Sequence, residues 1–249
     1  MNPLLASLHA ERVARQPQAV TKHDVEGTEV SVVEQHGTQL GSSLWHSALP
    51  LARYLHTSAL WAEPRRVLEL GAGCGTVGIA AALANPGCTV VLTDKPEVVD
   101  HLRANIEANA PALAAARARV CALPLVWRRA AVPPELGGAG EWESVAAAGG
   151  AAAFDIVLAC ECVYELSLLR ALLDTMERAM AQASVAVLGF CRRGGSLCPI
   201  AQAESMLLER FEHAVPPVRT AVYSSAHWPP RTVIGHVLCS LCILRSERV

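Results

Sequence analysis

The stretch Val67-Leu68-Glu69-Leu70-Gly71-Ala72-Gly73-Cys74-Gly75-Thr76 combines a short apolar run, one acidic residue and three glycines at alternate positions. The apolar run over 66–70 predicts a short buried strand, and residues 76–85 predict a helix. Gly71 and Gly73 carry no Cβ, so the turn can take positive φ angles and let a ligand approach the backbone. A strand, a glycine turn and a helix N-terminus are together typical of a site for a nucleotide-like ligand.

The spacing of the glycines narrows the class of ligand. A dinucleotide fingerprint, G-x-G-x-x-G, needs a glycine where Thr76 stands, and here that glycine comes one residue early, at Gly75. The form E-x-G-x-G-x-G resembles motif I of the class I S-adenosylmethionine (SAM) methyltransferases, whose cofactor carries a sulfonium and an amino-acid end instead of a pyrophosphate. The carboxylate of Glu69 suits such a ligand better than a bare helix N-terminus. A tight turn without a ligand is the alternative, because a glycine motif alone is weakly specific.

Composition limits the possible partners. The 249 residues fit one α/β domain or two small ones, and the net charge of −2 offers no basic surplus for a phosphate backbone or an anionic lipid surface. We therefore expect neither nucleic acid nor membrane as a partner. The N-terminus has no apolar signal core, and no stretch approaches the roughly 20 apolar residues of a membrane span. The chain has nine cysteines, an odd number, and most of them lie in apolar runs. This favours reduced thiols over a disulfide framework, and therefore a location in the cytoplasm or in both the cytoplasm and the nucleus.

The sequence disfavours a metal site and two kinds of nucleic-acid methylation. The pairs Cys160-Glu161-Cys162 and Cys239-Ser240-Leu241-Cys242 lie inside strand patterns without turn residues, so we expect no zinc or other metal. Amino-directed DNA and RNA methyltransferases place a proline-rich tetrapeptide ending in an aromatic after the fourth strand, where this chain has no proline. Cytosine-C5 enzymes use a Pro-Cys nucleophile, and the sequence contains no Pro-Cys pair.

Strands and helices alternate along the chain. Alternation of this kind predicts a mostly parallel, doubly wound α/β sheet with helices on both faces. A late pair of strands without a clear helix between them predicts an antiparallel hairpin at one edge. The predicted strands are 66–70, 89–93, 118–123, 154–159, 185–190 and one or two within 232–244; the predicted helices are 44–60, 76–85, 96–109, 166–182 and 199–211.

Two regions lie outside this alternation. Residues 1–24 are polar and compatible with one short helix, and the alternating residues 28–33 predict a strand or a hairpin at the domain edge. Residues 129–153 are rich in Ala, Gly and Pro and predict a flexible insertion. We therefore divide the chain into an N-terminal extension with a β-hairpin, 1–40, and a SAM-dependent methyltransferase domain, 41–249.

Two candidate ligand-binding side chains follow the second and third strands. Asp94 ends the second strand about 20 residues beyond the glycine turn, where a carboxylate can bind both hydroxyls of a ribose. Capping of the helix near Pro96 is the alternative role. Trp127 follows the third strand, where an indole can stack on an adenine, and a half-buried core aromatic is the alternative.

The fourth strand leads into Glu161 and Tyr164. Ligands of a doubly wound sheet lie at the carboxyl ends of the strands near the switch point, which the first and fourth strands flank. A carboxylate and a phenol at this place can orient an amine and hold it as its proton leaves. The alternative is a carboxylate that caps the next helix and a tyrosine of the core.

Five segments together resemble the family-16 seven-β-strand protein methyltransferases, the protein-lysine methyltransferases that include the METTL21-like enzymes. The segments are 41–55, which begins Gly41-Ser42-Ser43-Leu44-Trp45, then 67–78, 93–105, 125–127 and 155–164. The resemblance implies the Rossmann-like, seven-stranded methyltransferase fold with SAM as the cofactor. It also implies residue roles: Trp45 lines the SAM pocket, Gly71, Ala72 and Gly73 give backbone contacts, Asp94 takes the ribose hydroxyls, Trp127 stacks on adenine, Cys160 lies near the adenine, and Glu161 to Tyr164 match the D/E-x-x-Y motif of the acceptor channel.

The resemblance implies transfer of a methyl group from SAM to a lysine of a protein substrate, by a monomer whose catalytic residues are Glu161 and Tyr164. A protein histidine or a small molecule as acceptor, and a catalytically inactive binding module, are the alternatives. Two departures bear on the acceptor. The motif begins with Glu161 instead of the commoner Asp, and Arg128 stands where a glycine is usual after Trp127.

Overall fold

The computed structural model describes residues 19–35, 40–61, 63, 65–128, 139–150, 154–191, 200–211, 221–223 and 239–245. The strands in these residues are β1 (Ala19–Val25), β2 (Thr28–Glu34), β3 (Arg66–Leu70), β4 (Thr89–Asp94), β5 (Arg119–Pro124), β6 (Phe154–Cys160), β7 (Met180–Cys191), β8 (Ala221–Tyr223) and β9 (Cys239–Arg245). The α-helices are α1 (Ala48–His56), α2 (Thr76–Ala84), α3 (Val99–Ala108), α4 (Ala110–Ala115), α5 (Ala139–Gly149), α6 (Leu166–Ala179) and α7 (Ile200–Phe211).

The main sheet is mostly parallel. Within the described residues it contains seven strands in the order β5-β4-β3-β6-β7-β9-β8. Neighbouring strands from β5 to β7 pair in parallel, whereas β9 pairs antiparallel with both β7 and β8. This topology confirms the predicted Rossmann-like fold with an antiparallel edge.

Alternate residues of the central strand face opposite layers of helices. On β3, Val67 packs in one core cluster with Leu55 and Ile79, whereas Leu68 packs in a second cluster with Phe154. Complete burial of a side chain of this size contributes about 1.5–3 kcal/mol. The two layers therefore fix β3 at the centre of the sheet, and with it the glycine turn that follows.

A two-stranded hairpin, β1-β2, precedes the main sheet. Its turn residues Glu26 and Gly27 have φ angles of 51° and 82°, the left-handed conformation that a tight hairpin turn requires. The structure thus confirms a hairpin around 28–33, but residues 19–24 form a strand, so the short helix predicted within 1–24 is wrong there. Residues 1–18 lie outside the described residues, and the division of the chain at residue 40 stays a prediction.

Two asparagines at the end of α3 attach this hairpin to the main domain. The Asn105 side chain accepts the Val33 N–H at 2.8 Å and donates to the Val33 carbonyl oxygen at 3.1 Å. Asn109 makes the same pair of bonds with Ser31, at 2.9 and 2.7 Å. The two amides thus act on β2 as a neighbouring strand would, and they satisfy backbone groups that burial would otherwise leave unpaired.

The insertion contains a helix where the sequence predicts a loop. Residues 139–149 form α5, in which Trp142 and Val145 are buried, so the prediction of a flexible loop over 129–153 is wrong for this part. Alanine is the strongest helix former, and Trp142 and Val145 are three residues apart, so both face the second core cluster. Residues 129–138 and 151–153 lie outside the described residues.

Several helix ends also differ from the prediction. The helix predicted over 44–60 is shorter, Ala48–His56, and a 3₁₀ turn at Leu40–Ser42 precedes it. The helix predicted over 166–182 ends at Ala179, because β7 begins at Met180. Apolar residues continue across these ends, so periodicity does not locate them. β9 confirms a strand at 239–244, and residues 232–238 lie outside the described residues. The described helices include none that is long and apolar enough to cross a bilayer.

Candidate active site

A cavity of about 560 Å³ opens where β3, β4 and β6 end. This volume is within the range of sites for small molecules. The structure brings the predicted site residues together here, while the role of each residue stays a prediction. All ten line the cavity: Trp45, Glu69, Gly71, Ala72, Gly73, Asp94, Trp127, Cys160, Glu161 and Tyr164.

The glycine turn presents main-chain atoms to the cavity. Gly71 has a φ of 65°, and a Cβ there would lie 2.7 Å from the Cys162 sulfur and 2.8 Å from the Trp127 ring. Gly73 has a φ of 57°, and a Cβ there would lie 3.0 Å from the Gly41 carbonyl oxygen. A side chain at Gly71 would therefore clash, and one at Gly73 would be strained.

Asp94 ties the end of β4 to the glycine turn. Its Oδ2 accepts the Gly73 N–H at 2.8 Å, and its Oδ1 accepts the Lys95 N–H at 2.7 Å. The N-cap of the following 3₁₀ turn is Lys95, so Asp94 does not take the alternative role of helix cap. Burial raises the pKa of the carboxyl, and the two N–H groups oppose that rise. A carboxylate has about four lone-pair sites, enough for these bonds and a pair of ligand hydroxyls.

Glu69 lies between the cavity and helix α2. The residue is 1% exposed, and its Oε2 accepts the Gly78 N–H at 2.8 Å. Burial raises the pKa of this carboxyl to about 8, against the opposing effect of the Gly78 bond, so the acid is largely protonated at pH 7. A cationic ligand in the cavity would favour its ionised form.

The segment that carries Trp127 is held from two directions. The Leu125 N–H donates to the Asp94 carbonyl oxygen at 2.8 Å, and the Val126 N–H donates to Glu141 Oε2 at 3.2 Å. Glu141 lies on α5, so the helix inside the insertion supports this wall of the cavity.

The segment 40–45 forms a further part of the cavity wall. Trp45 Nε1 donates to the Leu40 carbonyl oxygen at 2.9 Å, and the Leu44 N–H donates to Glu34 Oε1 at 2.7 Å. Glu34 belongs to β2, so the hairpin that Asn105 attaches to the domain also holds the wall that carries Trp45.

The predicted acceptor side of the cavity, formed by Glu161 and Tyr164 with Ser47, joins two segments that are distant in sequence. Glu161 has a φ of 57° and donates its backbone N–H to the Gly189 carbonyl oxygen at 2.7 Å. Its Oε1 accepts the Ser47 N–H at 3.1 Å and the Ser47 hydroxyl at 2.5 Å, across 114 residues of sequence. Tyr164 is 37% exposed, and partial burial raises the pKa of its phenol, which therefore keeps its proton at neutral pH.

The alternative roles for the two residues of the acceptor side are not seen. The N-cap residue of α6 is Glu165, so Glu161 does not cap the next helix. Tyr164 is too exposed for a core side chain. Both residues face the cavity, as the acceptor-channel motif implies.

Sequence reasoning missed two residues that shape the site. No role is predicted for Ser47 from the sequence, and only its contact with Glu161 reveals it. Cys162 lies beneath the glycine turn and donates its thiol hydrogen to the Leu70 carbonyl oxygen at 3.3 Å. Burial raises the pKa of this thiol, so it acts as a packing residue.

In the part of the chain that the structure describes, no group of three or more His, Cys, Asp or Glu could hold a metal ion.

Comparison with known proteins supplies a family. A family model described as lysine methyltransferase matches residues 24–213. EEF1A lysine methyltransferase 3 of Mus musculus is 40% identical over 99 residues, which are 39% of this chain and 41% of that protein. Protein N-lysine methyltransferase METTL21A of Danio rerio is 32% identical over 149 residues, 60% of this chain and 59% of that protein. The chain thus spans less than two thirds of the length of either relative.

A solved structure agrees with the fold. A 16S rRNA methyltransferase of T. thermophilus in complex with AdoMet and guanosine superposes with a TM-score of 0.57 at 17% identity, covering 92% of this chain and 51% of that chain. At this identity the similarity shows a shared fold.

Proposed function

Because the chain belongs to the lysine methyltransferase family, we propose that it transfers a methyl group from SAM to a lysine side chain of a protein. The observation that carries the proposal is one cavity lined both by the glycine turn and by Glu161 and Tyr164 of the D/E-x-x-Y motif. The names of the curated relatives, one of which acts on EEF1A, support a protein as the substrate.

The residues of the cavity fit SAM. The turn at Gly71 and Gly73 lines the cavity, and it packs closely against the surrounding chain because both residues lack a Cβ. Asp94 offers acceptors for two ribose hydroxyls, and the half-buried Trp127 offers a ring for an adenine to stack on. Glu69 offers an acid that a positively charged ligand would ionise.

The residues of the acceptor side align and desolvate the amine. Bound SAM supplies a methyl group already activated by its sulfonium, so the task of the protein is mostly alignment and exclusion of water. The amine must lose its proton first, which at a reference pKa of about 10.4 costs about 4–5 kcal/mol at pH 7. Val126 and Leu168 give the cavity apolar walls, which disfavour the ammonium and lower that cost. Glu161 orients the amine as an acceptor of its hydrogen bond, beside the protonated phenol of Tyr164.

Labelling with tritiated SAM tests the proposed function. The acceptors are bacterially expressed EEF1A and a heat-treated eukaryotic cell extract, and the labelled protein is hydrolysed and separated into amino acids. We expect the label in methyllysine, and at least about tenfold less of it with Glu161→Gln, which weakens a charge-assisted hydrogen bond. Label in methylhistidine or in a small molecule would replace the lysine proposal. No label from a protein that binds S-adenosylhomocysteine (SAH) would indicate an inactive binding module.

We further propose that the protein acts as a monomer in the cytoplasm, or in both the cytoplasm and the nucleus. The described cysteines Cys74, Cys88, Cys121 and Cys162 are free thiols, which supports a reducing compartment. Sedimentation at equilibrium and imaging of a fluorescent fusion test the two statements. A stable dimer or a secreted fusion would contradict them.

A further inference from the structure

We infer that Ser47 is the positioning residue for Glu161, and that the additional methylene of glutamate, compared with the commoner aspartate, serves this contact. The inference rests on the proposed function, in which Glu161 orients the acceptor amine. It assigns to Ser47 a role that no sequence motif indicates.

Two donors of Ser47 converge on one oxygen of the carboxylate. The backbone N–H lies 3.1 Å and the hydroxyl oxygen 2.5 Å from Glu161 Oε1. A hydroxyl at this distance from a carboxylate makes a charge-assisted bond, about twice as strong as a neutral one. Ser47 is 2% exposed, so bulk water does not compete for its hydroxyl.

The backbone of Glu161 is arranged for the contact. Its φ of 57° lies in the left-handed region, which is unfavourable for a residue with a Cβ. Such a conformation persists only where its surroundings hold it, and it is frequent at functional sites. The bond from its N–H to the Gly189 carbonyl oxygen and the bonds from Ser47 to its carboxylate hold Glu161 from two sides.

Helix α1 strengthens the attraction. Ser47 is the N-cap of this nine-residue helix, and the N–H groups at a helix N-terminus carry partial positive charge. An aspartate at position 161 would be shorter by one carbon–carbon bond, about 1.5 Å. The contacts of 2.5 and 3.1 Å would then exceed hydrogen-bond range. Glutamate is therefore the acid that reaches Ser47.

The contact also connects the two sides of the cavity. Ser47 follows Trp45 by two residues, and Trp45, Ala48 and Glu161 all line the cavity. The segment that borders the predicted cofactor site therefore also fixes the acceptor acid. Loss of the contact should thus slow methyl transfer while leaving cofactor binding nearly intact.

A double-mutant cycle tests the role of Ser47. Ser47→Ala, Glu161→Asp and the double variant are compared with the wild type for transfer of tritiated methyl from SAM to the protein that the wild type labels. SAH affinity of each is measured by isothermal titration. We expect Ser47→Ala to lower kcat about tenfold, the effect of one charge-assisted hydrogen bond, with SAH affinity within about twofold. In the Glu161→Asp background the same substitution should leave kcat unchanged, because aspartate does not reach Ser47.

Ser58→Ala is the matched control, because it removes a serine hydroxyl beyond the other end of α1. It should keep the wild-type kcat. Equal kcat for Ser47→Ala and the wild type, or an equal loss in both backgrounds, overturns the role of Ser47 and leaves the proposed function intact. A loss of SAH affinity as large as the loss of kcat also overturns it. A wild-type protein that binds SAH and labels no lysine overturns the proposed function, and this role with it.

Discussion

The two walls of the cavity are built in different ways. The cofactor wall, residues 69–76 with Asp94 and Trp127, consists largely of main chain held at the ends of neighbouring strands. The acceptor wall, residues 47–48 with 161–164, depends on side-chain bonds between segments 114 residues apart. The difference teaches that strand ends form most of the predicted cofactor wall, whereas the predicted acceptor acid is held by a contact that no strand of the main sheet provides. Variants of the two walls should therefore separate SAH binding from methyl transfer.

Among variants of the glycine turn, the largest effect is expected from Gly71→Ala. Its Cβ would lie 2.7 Å from the Cys162 sulfur and 2.8 Å from the Trp127 ring, at a φ of 65°. Backbone strain of this kind costs on the order of 1–3 kcal/mol, and the clash adds to it. We expect SAH affinity, measured by isothermal titration, to fall at least about 100-fold.

Gly150→Ala is the matched control for this variant. Gly150 has a φ of 74°, and a Cβ there would meet nothing within 4 Å. It adds the same backbone strain outside the cavity, so SAH affinity should stay at the wild-type value. If the Gly71→Ala protein bound SAH as tightly as the wild type, the glycine turn would not be part of the SAH-binding site.

The hairpin β1-β2 is a third region to compare with the two walls, because it supports the segment that carries Trp45. Asn105 is completely buried, and Asn105→Ala would leave the N–H and carbonyl of Val33 without the bonds seen here. Each buried group left unpaired costs about 1–3 kcal/mol, so we expect chemical denaturation to show a loss of about 2–5 kcal/mol. Asn109→Ala, next to the less buried Ser31, should cost less. Equal losses would mean that burial does not set the strength of this attachment.

Glu69 makes the cofactor wall sensitive to pH. Burial raises the pKa of its carboxyl from an ordinary 4.5 to about 8. Between these values the unfolded chain has lost a proton that the folded protein keeps, so stability falls as the pH rises from about 4.5 to 8. Glutamine keeps an acceptor for the Gly78 N–H and does not ionise. We expect urea unfolding to show that Glu69→Gln gains about 2–4 kcal/mol over the wild type between pH 5 and pH 8. A pH-independent difference would indicate that the folded protein ionises Glu69 normally.

The smallest effect is expected from Glu141→Ala. This variant removes one bond of 3.2 Å to the exposed Val126 N–H, which should weaken SAH binding about two- to fivefold. Glu143→Ala, an exposed position on the same helix, is the control and should leave the affinity unchanged. Equal SAH affinities for the two variants would mean that α5 does not support the part of the cofactor wall that carries Trp127.

The sequence predicts the cofactor wall better than the acceptor wall, and the reason is distance along the chain. A strand, its glycine turn and Asp94 at the end of the next strand form a local pattern, and the parallel sheet brings them together. The bond between Ser47 and Glu161 crosses 114 residues, and only the packing of α1 against the sheet creates it. Glu69 is an intermediate case: its position on the strand is predictable, whereas its bond to Gly78 is not.

Helix α5 shows a second limit of the sequence. Its Ala and Gly content suggests a loop, because composition does not show that Trp142 and Val145 face a core. That core is built by residues of distant strands, including Leu68 and Phe190. Tertiary contacts therefore decide the structure of a segment whose alanines favour a helix and whose glycines disfavour one.

Isothermal titration of SAH into the wild-type protein, beside Asp94→Ala, tests the central claim most directly, because every other role depends on a cofactor in this cavity. We predict binding in the micromolar range or tighter that Asp94→Ala abolishes, since this variant removes the acceptors for the ribose and the bond to Gly73. A folded wild-type protein that does not bind SAH would contradict the account.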